Sequence, residues 1–339
     1  MQIINLEKGK EWDDFLSKNE HLIFHTPKYK EFLEKSFPNV KFQYLALIDE
    51  GIKTILPVGM IKSKLMGDKI ISVPFLEYGS FAGDKKKIKN ILDYIKNNYS
   101  KKYRYLEIRA GLDYDDELSK YLQKTEEYKR FVLELKSEEE NWKMLNKQKR
   151  KAIRKAEKKG IIIKELRKED IDEIYNLYLK GMKLFGSPPF YKDFFINFFE
   201  SSLGKAFGAF KDNKLISLLL GFAYKERIHA IISVSDKKSL ELRPNELLHW
   251  QFIKYGISNG FKCFDLGRVR EDSGQFRFKE EFGCQLMPLF HYYDLYKLKK
   301  IPKVDPRNAK YRFAIETWKR MPLIMQRKFG PSIREGLGI

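Results

Sequence analysis

The sequence predicts an α/β protein made of two tandem units with mixed sheets, followed by a helical tail. Three observations predict it. The chain has 339 residues, more than one core usually holds and comfortable for two. Two stretches, FQYLALIDEGIKTILPVGMIK (42–62) and AFGAFKDNKLISLLLGFAYK (206–225), share one pattern of apolar strand, short polar turn and longer apolar strand. Each is followed, at matching spacing, by a strand, a helix and another strand, which reads as an internal duplication. The expected units are residues 1–136, 137–300 and a tail at 301–339.

The turns are Asp49-Glu50-Gly51 and Lys211-Asp212-Asn213, residue types that tolerate the left-handed backbone of tight hairpins. The next strands fall at 69–74 and 228–234, the helices at 85–98 and 245–258, and the closing strands at 105–109 and 261–266. A meander followed by one helix and one strand gives a mixed sheet and not a βαβ alternation. That is the element order of a GNAT fold, although periodicity alone admits other α+β folds.

Hydrophobic residues make up 43% of the chain and charged residues 33%. No apolar run approaches the roughly 20 residues that cross a bilayer, and no secretion signal is expected from the opening Met1-Gln2-Ile3-Ile4-Asn5. The expected location is the cytoplasm, with a peripheral place at the inner face of the membrane held open. Neither Cys263 and Cys284 nor the five histidines have ligand spacing, so no metal site is expected. The net charge of +20 comes from 66 basic against 46 acidic residues, an excess that favours a polyanionic partner.

Between the copies, residues 137–160 read as one helix. Ser137 and Glu140 form a capping box, and Gly160 stands where a C-terminal glycine belongs. Trp142, Leu145, Ile153 and Ala156 share an apolar stripe. From Lys143 to Lys159 there are nine Lys or Arg and one Glu, a one-sign face suited to phosphate contact or simply to solvent. In the tail, Tyr311, Ala314, Ile315, Trp318 and Met321 recur at helical spacing among basic residues. Such a helix either docks on the body or lies on an anionic membrane.

Several stretches resemble the Fem family, which transfers amino acids from aminoacyl-tRNA to peptidoglycan precursors. They are Trp142…Lys149-Arg150…Ile153-Arg154 through Gly160, Arg243-Pro244-Asn245-Glu246 through Trp250, and Phe264-Asp265-Leu266-Gly267-Arg268 followed by Phe278-Lys279 and Phe282-Gly283. Phe24-His25-Thr26-Pro27 and Pro74-Phe75-Leu76-Glu77-Tyr78-Gly79 fit the same family in the first half. The resemblance runs in order along nearly the whole chain, and is nearest to Fem-related proteins of surface-polysaccharide systems. The long helical arm of some Fem enzymes has no counterpart at 184–206.

The resemblance implies that Lys279 lies in the active-site channel, where an ammonium polarises a carbonyl or holds a phosphate. It implies that Arg150 clamps a phosphate of the acceptor, with Arg154 one turn on. Arg268 follows Gly267 at a strand end and reaches a cleft or pairs with Glu271 or Asp272. Glu77 and Tyr78 are candidates for the acceptor channel. His25 joins them as a substrate-binding candidate, although an N-cap role beside Thr26-Pro27 explains it. No general base is evident, and Asp265 is read as holding its turn. The stretch Leu242–Glu246 has no glycine, unlike the loop that holds the pyrophosphate of coenzyme A in many GNAT enzymes.

The expected function is therefore aminoacyl transfer from aminoacyl-tRNA to an amine of a nucleotide- or lipid-linked envelope precursor. No cofactor is expected, because aminoacyl-tRNA is a substrate. The alternative is an acyl-CoA-dependent N-acyltransferase acting on an amino sugar of a surface polysaccharide. A non-catalytic anion-binding protein is a third reading.

Overall fold

The computed structural model describes residues 1–64, 66–302 and 309–338. In chain order the first elements are β1 (Gln2–Asn5), α1 (Lys10–Lys18), α2 (Pro27–Ser36), β2 (Lys41–Ile48), β3 (Ile52–Ile61), β4 (Lys69–Ser72), β5 (Ala82–Gly83), α3 (Ile88–Tyr99), β6 (Tyr105–Arg109) and α4 (Asp115–Leu118). Strand β7 (Gln123–Glu134) leads into α5 (Glu138–Met144), α6 (Lys147–Lys158), β8 (Ile162–Glu165), α7 (Ile171–Phe185), α8 (Lys192–Ser201), β9 (Gly204–Lys211), β10 (Lys214–Tyr224), β11 (Arg227–Ser235), α9 (Pro244–Ser258), β12 (Cys263–Val269) and α10 (Gly274–Glu280). Strand β13 (Gln285–Leu295) precedes the tail helices α11 (Ala309–Arg320) and α12 (Leu323–Leu337).

Two compact units result. One comprises 1–127, 289–311 and 331–339, and the other 128–288 and 312–330. The first change of unit falls within β7, some residues before the expected boundary at 136/137. Strand β13 returns the chain to the first unit, and the tail contributes to both.

In the first unit the strand order is β1-β2-β3-β4-β6-β13, with β5 beside β3. The β2–β3 hairpin turns through Glu50 (φ 53°) and Gly51 (φ 96°), as the turn residues predict. Strand β3 is buried on both faces over most of its length, so it reads as a continuous apolar run. Pro57 interrupts that run harmlessly. It lies where β3 passes from its pairing with β5 (Thr54, Ile55) to its pairing with β4 (Val58 to Ile61), and there its missing N–H costs no ladder bond. Helix α3 covers one face with Ile88, Ile91, Leu92 and Ile95, and α1 contributes Trp12, Phe15 and Leu16 to a second cluster. Strands β4 and β6 run parallel only through Ile70↔Leu106 and Ile71↔Glu107.

In the second unit the order is β7-β12-β11-β10-β9-β8. The β9–β10 turn carries Asp212 and Asn213 at φ 50° and 60°, two left-handed residues whose twist suits a two-residue hairpin. Ile153, Ala156, Leu248, Phe252, Ile253 and Phe264 form the centre of one core, bringing α6 and α9 onto the sheet. Helix α7 packs on β10 and β11, and Gly181 admits Val234 at a distance no side chain would allow.

The single helix expected at 137–160 is two helices. The capping box of Ser137 and Glu140 starts α5 as predicted. Leu145 and Asn146 then turn extended, and the Asn146 side chain accepts from the Gln148 N–H at 2.8 Å to start α6. The tail is also two helices, parted at Met321-Pro322. Trp318 is buried and Ile315 meets Gly186, so α11 docks on the second unit by that face.

Candidate functional site

In the second unit the parallel pairing of β11 and β12 covers Arg227↔Cys263, Ile228↔Phe264 and His229↔Asp265, and then stops. Parallel strands that part at their carboxyl ends open a crevice, the usual place for ligands in such sheets. Asp265 lies at the last pair and is fully buried. One of its oxygens accepts the Gly267 N–H at 2.9 Å and the other accepts from Arg130 at 3.1 Å. Arg227 and His229 stand 3.7 Å from that second oxygen. The bond to Gly267 N–H helps hold Gly267 in a left-handed conformation (φ 81°), and β12 bulges against β7 between Asp265 and Arg268. The bulge turns two carbonyls towards α10. Lys279 Nζ donates to the carbonyls of Gly267 at 3.0 Å and Arg268 at 2.9 Å.

The position of α10 is fixed from its other side. Lys149 on α6 lies 3.6 Å from the ring centre of Phe278 and 4.9 Å from that of Phe282. It also lies 3.5 Å from the Glu281 carboxylate, and burial lowers its pKa. His249 on α9 packs against the same two rings, at 5.1 and 5.4 Å. Burial pushes its pKa down to about 3, so it is neutral, with Nδ1 2.8 Å from the Asn245 carbonyl. The two phenylalanines that flank Lys279 are therefore held by residues of α6 and α9, while Lys279 reaches the strand. Asn146 N–H donates to the Glu281 carbonyl at 2.9 Å and joins the α5–α6 corner to the same helix.

Arg150 is anchored through one of its nitrogens. Its Nη1 donates to the carbonyls of Leu145 (2.6 Å), Lys143 (3.1 Å) and Trp142 (3.4 Å), closing the C-terminal end of α5. Arg154 is exposed, with its guanidinium 5.6 Å from the Trp142 indole. Arg268 lies 4.9 Å from the Tyr128 ring; Glu271 pairs with Lys129, and Asp272 lies 3.4 Å from Arg270. The exposed face of α6 carries Lys147, Lys151, Arg154, Lys155 and Lys158, with Glu157 as its one acid.

Helix α9 follows β11 and opens the crossover to β12. Arg243 is left-handed (φ 62°) and Pro244 occupies the first helical position, where it offers no N–H. The Asn245 side-chain oxygen accepts from Ser217 (2.8 Å) and Ser235 (2.5 Å), and Glu246 is buried in the first turn.

In the first unit, His25, Glu77 and Tyr78 gather around the loop that follows β4. Val73 (φ 45°) and Phe75 (φ 70°) are left-handed there without being glycine. Tyr78 is buried and meets the Phe24 ring edge-on at 5.8 Å, while Glu77 is half-buried. The N-cap role falls to Thr26, whose side chain accepts from the Tyr29 N–H. His25 is instead a buried pin. Its Nδ1 accepts from the Leu22 N–H at 3.0 Å, which assigns the proton to Nε2, and Nε2 donates to the Ser80 carbonyl at 2.9 Å. Burial lowers its pKa to about 4.

A further buried group was not foreseen. Glu107 ends the parallel β4–β6 pairing, accepts from Arg109 Nε at 2.9 Å and lies 3.4 Å from His291 Nδ1. Arg109 also donates to the Leu76 carbonyl (2.6 Å) and the Gly338 carbonyl (3.1 Å). Burial opposes ionisation of Glu107, but Arg109 and His291 outweigh it and hold the carboxyl well below its usual range. Among the described residues no group of three His, Cys, Asp or Glu could hold a metal ion, and no helix is long and apolar enough to cross a membrane.

Residues 145–280 match the family described as acetyltransferase (GNAT) domain. No curated protein matches the sequence. Among solved structures, FemX is similar with a TM-score of 0.66 at 14% identity, over 86% of this chain and 97% of that one. The C-terminal domain of a putative lysylphosphatidylglycerol synthetase from Agrobacterium fabrum is similar with a TM-score of 0.60 at 10% identity, over 94% of this chain and 95% of that one. A tandem GNAT protein from the clavulanic acid biosynthesis pathway is similar with a TM-score of 0.55 at 7% identity, over 88% and 99%. The fold is thus a tandem GNAT fold, and the second unit carries a GNAT-type acyltransferase domain.

Proposed function

We propose that this acyltransferase moves an amino acid from aminoacyl-tRNA to an amine of a cell-envelope precursor. The observation that carries the reading is the start of α9. A coenzyme A diphosphate needs backbone N–H groups presented at a helix N-terminus. Here Pro244 has none, Asn245 is turned to Ser217 and Ser235, and the Glu246 carboxylate lies in the first turn. A donor held by a long phosphate backbone suits the one-sign face of α6 better.

The reaction asks little of the protein beyond placement and charge. The acceptor amine attacks the ester carbonyl of the aminoacyl group. A C–N bond forms, the ester C–O bond breaks, and the amine proton passes to the departing ribose oxygen directly or through water. Lys279, fixed by two carbonyls on one side and by its flanking phenylalanines on the other, supplies positive charge to the developing oxyanion. Arg150 keeps Nη1 on α5 and offers Nε and Nη2 to the acceptor phosphate. Arg154 and Arg268 extend the basic lining in the second unit, and His25 shapes the loop of Glu77 and Tyr78 in the first.

Calorimetry with the whole chain tests the donor. Total aminoacyl-tRNA is expected to bind with an affinity that falls steeply with salt, while coenzyme A gives no resolved heat. Tight binding of coenzyme A, with none of tRNA, would favour the N-acyltransferase of a polysaccharide amino sugar.

A further inference from the structure

We infer that the outer faces of α11 and α12 form a docking surface for an anionic lipid bilayer. The inference is independent of the transfer reading, because it concerns a surface that Lys279 and its neighbours do not use. Of the thirteen large apolar side chains exposed among the described residues, six belong to one part of the second unit. They are Leu184 and Phe185 at the end of α7, Phe313 on α11, and Ile324, Met325 and Phe329 on α12. The three elements are neighbours: Gly186 after α7 meets Ile315 and Lys319, and Gln326 on α12 donates to the Trp318 carbonyl. A concentration of this kind on an otherwise charged protein marks an interaction surface.

Helix α11 is used on two sides. Trp318 and Ile315 face the body, whereas Phe313 faces outward. On α12, Gln326 and Gly330 are buried, and Ile324, Met325, Lys328 and Phe329 recur at the one- and four-residue steps of the opposite face. Phe313 and Ile324 keep 76% and 77% exposure, so they stand out of the surface and do not line a groove for a peptide or helix.

The charge around them selects the partner. Between Ala309 and Gly330 there are six basic residues and one acid. Arg312, Arg320, Arg327 and Lys328 are exposed, and the one acid, Glu316, is tied to Lys319 at 2.9 Å. Asp172 at the start of α7 acts on Arg327 and is itself paired with Lys192, so cations still predominate. Protruding apolar side chains among mostly basic neighbours match the acyl and phosphate layers of an anionic leaflet.

Vesicle flotation with the full chain tests this. Phosphatidylcholine vesicles containing phosphatidylglycerol are expected to carry the protein up the gradient at low salt, and pure phosphatidylcholine to carry far less. The combined variant Phe313→Ser, Ile324→Ser, Phe329→Ser should bind more than about tenfold more weakly, since each ring or branched chain then loses its burial in the bilayer. Arg320→Ala and Lys328→Ala should each weaken binding roughly fivefold, and only on the anionic vesicles. All five positions are exposed, so an unchanged circular dichroism spectrum is expected and is checked. The inference is overturned if the wild type ignores the anionic vesicles, or if the triple variant floats as well as the wild type. It is also overturned if sedimentation shows the wild type self-associating through this face, with the triple variant monomeric and vesicle binding unaffected.

Discussion

Glu107 and Asp265 hold equivalent places in their two units. Each is a buried acid on the strand after the crossover helix, and each lies at the last pair of a parallel ladder. Each also meets a histidine and arginine: Arg109 and His291 for Glu107, and Arg130, Arg227 and His229 for Asp265. The duplication legible in the strand pattern thus extends to a polar group inside each sheet. Only the second copy leads on to a glycine bulge and a lysine, which is where the transfer chemistry is proposed.

Loss of Lys279 should be felt in the chemical step. Lys279→Ala is expected to lower turnover by about 10²–10³-fold, the usual cost of one oxyanion-stabilising group. Lys279→Arg should recover part of it. Single-turnover rates, with thermal unfolding as the control for folding, check this.

Asp265→Asn should destabilise the second unit by about 3 kcal/mol, because Arg130, only 11% exposed at its side chain, is left against a neutral partner. Urea unfolding at neutral pH measures it. Gly283→Ala should cost at least about 1–2 kcal/mol, since φ is +76° and an added Cβ would lie 2.8 Å from the Met144 carbonyl.

Acid should unfold the protein in two ways of known sign. His25 and His249 are neutral when folded, with pKa values lowered to about 4 and about 3 by burial. Unfolding lets them take up protons below about 6.5, so each lowers stability by up to about 1.4 kcal/mol per pH unit from there down towards its folded value. His25→Gln and His249→Gln should flatten that slope in urea titrations between pH 6.5 and pH 4. Glu107 acts lower on the scale. Its folded pKa is depressed, so its contribution is present above the usual glutamate range and is lost as pH falls through and below it. Glu107→Gln should remove that last loss.

If α6 holds the tRNA backbone, Lys151→Glu with Lys155→Glu should weaken RNA binding at every salt concentration. The slope of log affinity against log salt should shrink by about one for each phosphate the variant no longer neutralises. Both lysines are exposed, so folding is not at stake.

Much of the fold was legible because hairpins announce themselves locally: Asp212-Asn213 and Glu50-Gly51 both demand left-handed backbone. The break at Asn146 was missed although the signal was present, an N-capping residue inside a helical pattern. Lys149 was read as one more member of a basic run. Yet it lies four residues before Ile153 and seven before Ala156, which puts it on the buried stripe, and there it grips Phe278 and Phe282. Spacing could not show that Lys279 meets the carbonyls of Gly267 and Arg268, since that meeting depends on a bulge between distant strands. Nor could it show that Arg150 Nη1 meets the end of α5, since that contact depends on the break at Asn146.

The most direct measurement is transfer of label by the pure protein, offered charged total tRNA or acetyl-CoA, each with an envelope-precursor extract. Label passing from tRNA to a precursor amine, and abolished by Lys279→Ala, is the predicted result. Label passing only from acetyl-CoA would contradict the account and show that α9 binds a diphosphate despite Pro244 and Glu246.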